Sequence, residues 1–257
     1  MESRVLITGT TSGIGRGLME HYRREGWDVV VFNRRKDHDL EARFPEIQFL
    51  HIDVRDREGI QSYFKEANRA NQLPDLYYLN AGINKIDNLS EFSLETFQEV
   101  MEINLTGVLN FVEAALPYLE GKKATFVVSS STSNIFPNPN NLAYYISKVA
   151  VERLFRMWDR KYHKQGLTFK VLILSPIATN IFVEGRLASK LQAQIRKFLT
   201  VSVEDTVPEI VRFSKSSHKV LYYTKTAVLI FLLAALIQKI APNFYKGSSN
   251  VKKELTV

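Results

Sequence analysis

The sequence of 257 residues contains no cysteine. Disulfide frameworks, thiolate metal sites and cysteine nucleophiles are therefore excluded. The five histidines do not have the spacing of metal ligands, so we expect no metal centre. Hydrophobic residues make up 45% of the chain and charged residues 24%, a balance that is typical of a globular protein and argues against extensive disorder.

Long hydrophobic runs are also missing. The stretch TAVLIFLLAALI at residues 226–237 has twelve residues without a charge. As a helix it would extend roughly 18 Å, which is less than the ~30 Å core of a bilayer. The stretch predicts either a helix that packs in the fold or at a subunit interface, or a helix that lies on a membrane surface. We expect no signal peptide and a cytoplasmic location, with peripheral membrane attachment through this helix left open.

The net charge of +7 is unevenly distributed. Residues 1–150 carry −4, whereas residues 151–257 carry +11. A basic half of this kind could meet nucleic acid, an anionic membrane or a phosphate-bearing ligand. Because the basic residues are interleaved along helical stretches and no nucleic-acid module is recognised, we do not expect nucleic acid as a partner.

Short β-rich runs alternate with stretches of helical periodicity. The strands are predicted at residues 4–8, 28–32, 47–53, 76–79, 124–129 and 168–174, and the helices at 14–25, 57–70, 94–119 and 144–165. A further helix is predicted at 206–217 and a last strand at 220–224. This alternation favours an α/β fold with one doubly wound parallel sheet and helices on both faces. One main domain is predicted to cover residues 1–224, followed by the apolar helix and polar tail of residues 225–257.

A glycine-rich turn follows the first predicted strand. The segment from Thr8 to Gly15 reads TGTTSGIG and leads directly into a helix. Its glycines allow a tight turn, a close approach of the backbone to a pyrophosphate, and close packing of helix on strand. The helix N-terminus offers free N–H groups and a positive dipole to an anion. The turn predicts a dinucleotide phosphate site, although glycines also occur in turns that bind nothing.

The end of the second predicted strand bears on the choice of dinucleotide. NAD sites usually place a carboxylate about twenty residues after the glycines, where it binds the ribose 2′-hydroxyl. This chain has Asn33 there, followed by Arg34, Arg35 and Lys36. Because a guanidinium suits a 2′-phosphate, the sequence favours NADP(H) over NAD(H), with Arg34 as the main phosphate ligand. A solvated basic turn is the alternative.

A tyrosine and a lysine are spaced for joint chemistry on a predicted helix. Tyr144 and Lys148 are four residues apart and therefore share one helix face. Because a nearby ammonium favours phenolate, Lys148 is predicted to lower the pKa of Tyr144 toward that of a working acid–base group. Ser131, at the end of a predicted strand, could hold a substrate oxygen. The Tyr-x-x-x-Lys pair by itself is weak evidence, since such pairs arise by chance on helices.

Taken together, the motifs resemble those of the short-chain dehydrogenase/reductase family. The matching pieces are TGTTSGIG, LNAG at residues 79–82, Asn104 in the next helix, Ser131 thirteen residues before Tyr144, and Ser175-Pro176 after the sixth strand. The resemblance covers about residues 4–215. It implies a single-domain Rossmann-like fold and an NAD(P)-dependent oxidoreductase.

The resemblance implies catalytic roles for four residues and cofactor contacts for a longer set. Tyr144 would donate a proton to the carbonyl oxygen, Lys148 would bind the nicotinamide ribose, and Ser131 would hold the substrate oxygen. Asn104 corresponds to an asparagine that holds a water in the proton relay. Besides Tyr144 and Lys148, the implied cofactor residues are Thr8, Gly9, Thr11, Ser12, Gly13, Ile14, Gly15, Asn33, Arg34, Arg35, Asp53, Val54, Asn80, Ala81, Gly82, Pro176, Ile177 and Thr179.

Parts of that set correspond to separate regions of the cofactor. Asp53 and Val54 match a pair that contacts adenine, residues 80–82 pass beside the adenosine ribose, and Ile177 and Thr179 match contacts to the nicotinamide carboxamide. Residues 180–200 match the substrate lid. Their apolar stripe at helical spacing predicts a lipophilic or bulky carbonyl substrate, with plain core packing as the alternative.

The sequence therefore predicts an NADPH-dependent reductase that converts a lipophilic ketone or aldehyde into an alcohol. The end of the chain is similar to that of membrane-associated lipid and steroid reductases of the family, including 3-ketosphinganine reductase-like proteins. The resemblance also implies a homodimer or larger homo-oligomer through the helices at 94–119 and 144–165. The alternative is a non-catalytic NADP-binding regulator or scaffold at a membrane surface, which the complete set of catalytic residues argues against.

Overall fold

The computed structural model describes residues 3–85, 92–132, 141–174 and 201–223. Its strands are β1 (Arg4–Thr8), β2 (Asp28–Phe32), β3 (Gln48–Leu50), β4 (Leu76–Leu79), β5 (Ala124–Ser131), β6 (Leu167–Leu174) and β7 (Val220–Tyr223). Its α-helices are α1 (Gly13–Arg24), α2 (His38–Arg43), α3 (Arg57–Arg69), α4 (Leu94–Met101), α5 (Gly107–Ala115), α6 (Leu142–Tyr162) and α7 (Val203–Lys215). Pro176, Ile177, Thr179, the predicted lid and the segment 225–257 lie outside the described residues.

The strands form one parallel sheet in the order β3-β2-β1-β4-β5-β6-β7. From β1 the chain first moves outward through β2 to β3, and then crosses back to β4 on the other side of β1. This reversal is the mark of a doubly wound sheet, in which ligands bind at the carboxyl ends of the strands beside the reversal point. The predicted fold class is confirmed, and the reversal places the ligand crevice between the ends of β1 and β4.

Alternate side chains of the strands enter two separate hydrophobic cores. In β1, Leu6 lies in the core that includes Phe111 of α5 and Phe155 of α6. Its neighbour Ile7 lies in the core that includes Tyr22 of α1 and Ile210 of α7. Because successive side chains of a strand point to opposite faces, the continuously apolar strands are covered on both sides. The two packed faces hold the strand ends in fixed register at the crevice.

The predicted helix at residues 94–119 is confirmed to within one residue, because helical structure runs without a break from Leu94 to Tyr118, but its geometry is not α-helical throughout. The structure divides it into α4, a π-helical turn at Glu102–Thr106, α5, and a 3₁₀ turn at Leu116–Tyr118. A π-helical turn contains one extra residue, and hydrophobic periodicity at helical spacing does not register so local a change. Asn104 lies in the middle of the π-helical turn, where such turns often mark functional sites.

Two smaller differences lie between β2 and α3. The short helix α2 was not predicted, because one and a half turns are too few to show periodicity. Its start is fixed by a reciprocal cap: the Leu40 N–H donates to Asp37 Oδ1 (3.0 Å), and the Asp37 N–H donates to Glu41 Oε1 (3.1 Å). The strand predicted at 47–53 is shorter, covering only Gln48–Leu50 as β3.

Candidate active site

A cleft of about 960 Å³ lies at the carboxyl ends of the central strands. It joins the glycine-rich turn after β1 to the helix that carries the tyrosine and lysine. The predicted site residues in its wall are Gly9, Thr11, Ser12, Gly13, Ile14, Asn33, Arg34, Arg35, Asp53, Val54, Asn80, Ala81, Gly82, Ser131, Tyr144 and Lys148. The structure thus brings most of the predicted residues into one site.

Other residues of the wall were not among the predicted site residues. They are Phe32, Lys36, Asp37, His38, Asp39, Ile83, Asn84, Ile103, Ser129, Ser130 and Leu174. Phe32, Ser129, Ser130 and Leu174 lie in the last residues of strands, and Lys36, Asp37, Ile83 and Asn84 lie in the loops that follow β2 and β4. The rule that ligands bind at strand carboxyl ends could have found these eight. Conversely, Thr8, Gly15 and Asn104 are not in the wall, but each contacts residues that are.

The glycine-rich turn has the geometry of an anion cradle. Gly9 and Gly13 have φ angles of +74° and +58°, a region that side chains rarely adopt. At Gly15 a Cβ would lie 2.1 Å from the carbonyl oxygen of Gly9, so only glycine lets α1 approach the turn this closely. The side chain of Ser12, which precedes α1, makes no capping hydrogen bond to the helix. Ser12, Gly13 and Ile14 at the start of α1 line the cleft, so the N-terminus of the helix and its dipole are available to an anion there.

Thr8 links the glycine-rich turn to the loop after β4. Its buried Oγ1 accepts hydrogen bonds from the N–H groups of Asn80 (3.0 Å) and Ala81 (2.9 Å). The Asn80 side chain is held in turn, because its Oδ1 accepts a hydrogen bond from the Ser129 hydroxyl (3.0 Å). These hydrogen bonds connect the ends of β1, β4 and β5 at the floor of the cleft. Thr8 contributes to the site by fixing the backbone after β4.

Asn33 is engaged with the glycine-rich turn. Its Oδ1 accepts from the Thr10 N–H at 2.8 Å, and its Nδ2 donates to the Thr10 hydroxyl at 3.0 Å. Both residues are buried. The amide therefore fastens the end of β2 to the turn after β1. The neighbouring Arg34 and Arg35 are exposed in the cleft wall, where they can meet an anion.

At the other end of the cleft, Tyr144 and Lys148 are both buried on α6. The Lys148 ammonium donates to the Ser129 carbonyl oxygen (2.8 Å) and lies 5.5 Å from the centre of the Tyr144 ring. Burial raises the pKa of Tyr144 to about 12, against an opposing hydrogen bond with Ser131. Burial also lowers the pKa of Lys148 to about 8.

The pKa of Tyr144 is therefore raised overall, and the predicted net shift toward a lower value is wrong. Removal of the phenol from water disfavours the phenolate more than the hydrogen bond with Ser131 favours it. Burial thus favours the neutral phenol form of Tyr144.

The side chain of Asn104 is occupied by protein partners. Its Oδ1 accepts from the Ile83 N–H (2.8 Å), and its Nδ2 donates to the Ile83 carbonyl (2.9 Å) and to the Ser147 hydroxyl (3.0 Å). The Ser147 hydroxyl donates to the Tyr144 carbonyl oxygen (2.7 Å). Asn104 thus links the loop after β4 to the helix that carries Tyr144, and its role in holding a water of the proton relay stays a prediction.

Comparison with known proteins agrees with this geometry. The sequence model of the short chain dehydrogenases matches residues 3–189. Glucose 1-dehydrogenase of Gluconobacter oxydans is 29% identical over 187 residues, which cover 69% of this chain and 70% of that protein.

Solved structures give the same result for the fold. A short-chain dehydrogenase from Burkholderia cenocepacia in complex with NADP is similar with a TM-score of 0.75 at 21% identity, covering 93% of this chain and 97% of that one. A short-chain dehydrogenase from Leptospira borgpetersenii with bound NAD⁺ has a TM-score of 0.74 at 20% identity, with coverage of 84% and 87%. The chain belongs to the short-chain dehydrogenase/reductase family and is an NAD(P)-dependent oxidoreductase.

Proposed function

We propose that this oxidoreductase reduces a ketone or aldehyde carbonyl with NADPH, and that Tyr144 supplies the proton. The observation that carries the proposal is the single cleft that connects an anion cradle and three cations at one end with Tyr144, Lys148 and Ser131 at the other. Taken alone, the glycine-rich turn could be a turn that binds nothing, and the Tyr144/Lys148 pair could arise by chance on a helix. Their presence in one cleft supports a site in which a bound cofactor would lie beside a proton donor.

The residues present fit a phosphorylated dinucleotide. The turn after β1 offers N–H groups and a helix dipole for the pyrophosphate. Arg34, Arg35 and Lys36 are exposed in the wall beside the end of β2 and can hold a 2′-phosphate. When bound, a reduced nicotinamide would supply the hydride.

The groups around Tyr144 support its proposed role as proton donor. The phenol is protonated at neutral pH, and its conversion to phenolate is costly in a buried site. Lys148 lies beside the ring as a cation below a pH of about 8, so its charge stabilises the phenolate that forms as the proton leaves. Ser131 bonds to Tyr144 and is placed to donate to the same substrate oxygen.

The substrate class is proposed to be lipophilic. The support is the apolar stripe of the sequence between residues 181 and 199, in the segment that corresponds to the family's lid. A mostly apolar lid favours aliphatic or polycyclic carbonyl compounds over sugars. The assay should therefore compare long-chain and polycyclic ketones with polar aldehydes.

The test of the reaction is NADPH oxidation across that panel by wild type and Tyr144→Phe. We expect the variant to lose at least about 100-fold in kcat while its dissociation constant for NADPH stays within about threefold, because only the proton donor is removed. Tyr145→Phe is the matched control and should retain turnover. Turnover at the wild-type level by Tyr144→Phe would refute the assignment.

Cofactor preference is tested at Arg34. In Arg34→Ala we expect the KM for NADPH to rise by about 10-fold or more, since a guanidinium–phosphate bond is lost, while the KM for NADH stays nearly unchanged. NADH is the internal control because it has no 2′-phosphate. Equal use of both cofactors by wild type would contradict the preference.

Membrane attachment through residues 226–237 is a proposal that rests on the sequence alone. Among the helices that the structure describes, none has both the length and the hydropathy to cross a membrane. The twelve uncharged residues and the charge of +11 on residues 151–257 would suit a helix at an anionic lipid surface. Flotation of the full chain with anionic but not with neutral vesicles would support the proposal.

A homodimer is likewise proposed, and light scattering of the pure protein measures its mass in solution.

A further inference from the structure

The carboxylate of Asp53, in the turn after β3, is held by one residue. Its Oδ1 accepts from the main-chain N–H (3.0 Å) and from Nε (3.0 Å) of Arg55, and its Oδ2 accepts from Nη2 of the same guanidinium (2.8 Å). This is a bidentate ion pair reinforced by a turn hydrogen bond, and it leaves the carboxylate little rotational freedom. Asp53 lines the cleft, whereas Arg55 does not.

The guanidinium of Arg55 is itself anchored on a second element. Its Nη1 lies 3.8 Å from Oε2 of Glu102, the first residue of the π-helical turn. Arg55 therefore spans from the turn after β3 to the segment that carries Asn104. Contacts on two sides of the guanidinium limit the movement of Arg55, and with it that of the Asp53 carboxylate, although 37% of the surface of the Arg55 side chain is exposed.

An ionised carboxylate can only accept hydrogen bonds, and it has about four acceptor positions. Arg55 uses three of them, so Asp53 has one left for a donor in the cleft. The pKa of Asp53 is lowered, chiefly by the hydrogen bond from Arg55, and the group stays ionised when it is partly enclosed. Adenine presents one kind of exocyclic donor, its 6-amino group.

We propose that Arg55 is a positioning residue for adenine recognition: it orients the Asp53 carboxylate to accept from the 6-amino group of the cofactor. The inference rests on the proposed dinucleotide site. Arg55 also affects the neighbouring Arg34. Arg34 is also close enough to attract Asp53 electrostatically. Because Arg55 neutralises the carboxylate, Arg34 remains available for the 2′-phosphate.

The experiment compares the binding of NADPH with that of its deamino analogue, in which hypoxanthine replaces adenine and a carbonyl oxygen replaces the amino group. Dissociation constants are measured by cofactor fluorescence without any carbonyl substrate. We expect wild type to bind NADPH at least about tenfold more tightly than the analogue, because a charge-assisted hydrogen bond is lost. In Arg55→Met the ratio should fall to within about threefold of unity.

Arg57→Met is the matched control. Arg57 lies two residues farther along, loses the same charge, and pairs at the surface with Glu113 (2.5 Å), away from the cleft wall. Its variant should keep the wild-type ratio. Arg55→Lys keeps the charge but not the bidentate geometry, and its ratio should lie between those of wild type and Arg55→Met.

A wild-type ratio in Arg55→Met would overturn the inference, and where that variant does not fold, a wild-type ratio in Arg55→Lys would do so. Equal binding of both cofactors by wild type would also overturn it, because Asp53 would then not contact the amino group. Failure of wild type to bind either dinucleotide would overturn the proposed function first, and the inference with it. The binding assay therefore separates the two failures.

Discussion

Removal of the Asn33 amide should destabilise the whole fold as well as the cofactor site. In Asn33→Ala, the fully buried Thr10 N–H loses the acceptor that it has at 2.8 Å, and the Thr10 hydroxyl loses its donor at 3.0 Å. A buried donor left without a partner costs about 1–3 kcal/mol, and a second hydrogen bond contributes about 0.5–1.5 kcal/mol. We expect the free energy of unfolding to fall by about 2–4 kcal/mol.

A loss of that size is large compared with the roughly 5–15 kcal/mol that stabilises most domains. Urea unfolding followed by circular dichroism measures it directly, and the midpoint of thermal unfolding should fall by about 5–15 °C. NADPH affinity should weaken in parallel because the glycine-rich turn is no longer held to β2. Asn68→Ala, at an exposed position of α3, is the control and should stay within about 0.5 kcal/mol of wild type. An equally small change in Asn33→Ala would refute the reasoning.

Two further substitutions test other parts of the structure. In Gly82→Ala the new Cβ would lie 3.1 Å from Asn104 Oδ1 and 3.5 Å from Lys148 Nζ, and would crowd both groups. We expect kcat to fall about tenfold or more in a protein that still folds, because the catalytic groups are displaced. Unchanged kinetics would contradict this. Lys170, buried with its ammonium on the carbonyls of Phe213 and Ser216, has a pKa lowered by burial from 10.5 to about 8. The folded protein therefore binds this proton less tightly than the unfolded chain, and wild type gains stability as the pH rises between those values. The stability of Lys170→Met relative to wild type should fall across that window in urea titrations, and a difference independent of pH would disagree.

The order of strands and helices could be predicted because it depends on local patterns. Continuously apolar runs predict strands that are covered on both faces, and β1, β2, β4 and β6 lie within one residue of the predicted bounds. The short helix α2 and the π-helical turn at Glu102–Thr106 were missed, since one or two turns carry too few residues for a periodic signal.

The sequence by itself also determined which residues meet in the cleft. The family resemblance, which rests on motifs in a fixed order along the chain, implied that the glycines, Tyr144 and Lys148 belong to one site, and the structure has them in the wall of one cleft. Spacing on a helix likewise determined that Tyr144 and Lys148 share a face.

What each side chain does there was decided only by the tertiary structure. Asn33 pairs with Thr10, and Asn104 pairs with Ile83, across more than twenty residues of chain. A sequence cannot show which polar group satisfies which, because those partners are set by the packing of distant elements. The pKa of Tyr144 is raised, opposite to the prediction, for the same reason: burial depends on the whole fold, and here its effect on the pKa outweighs that of the hydrogen bond with Ser131.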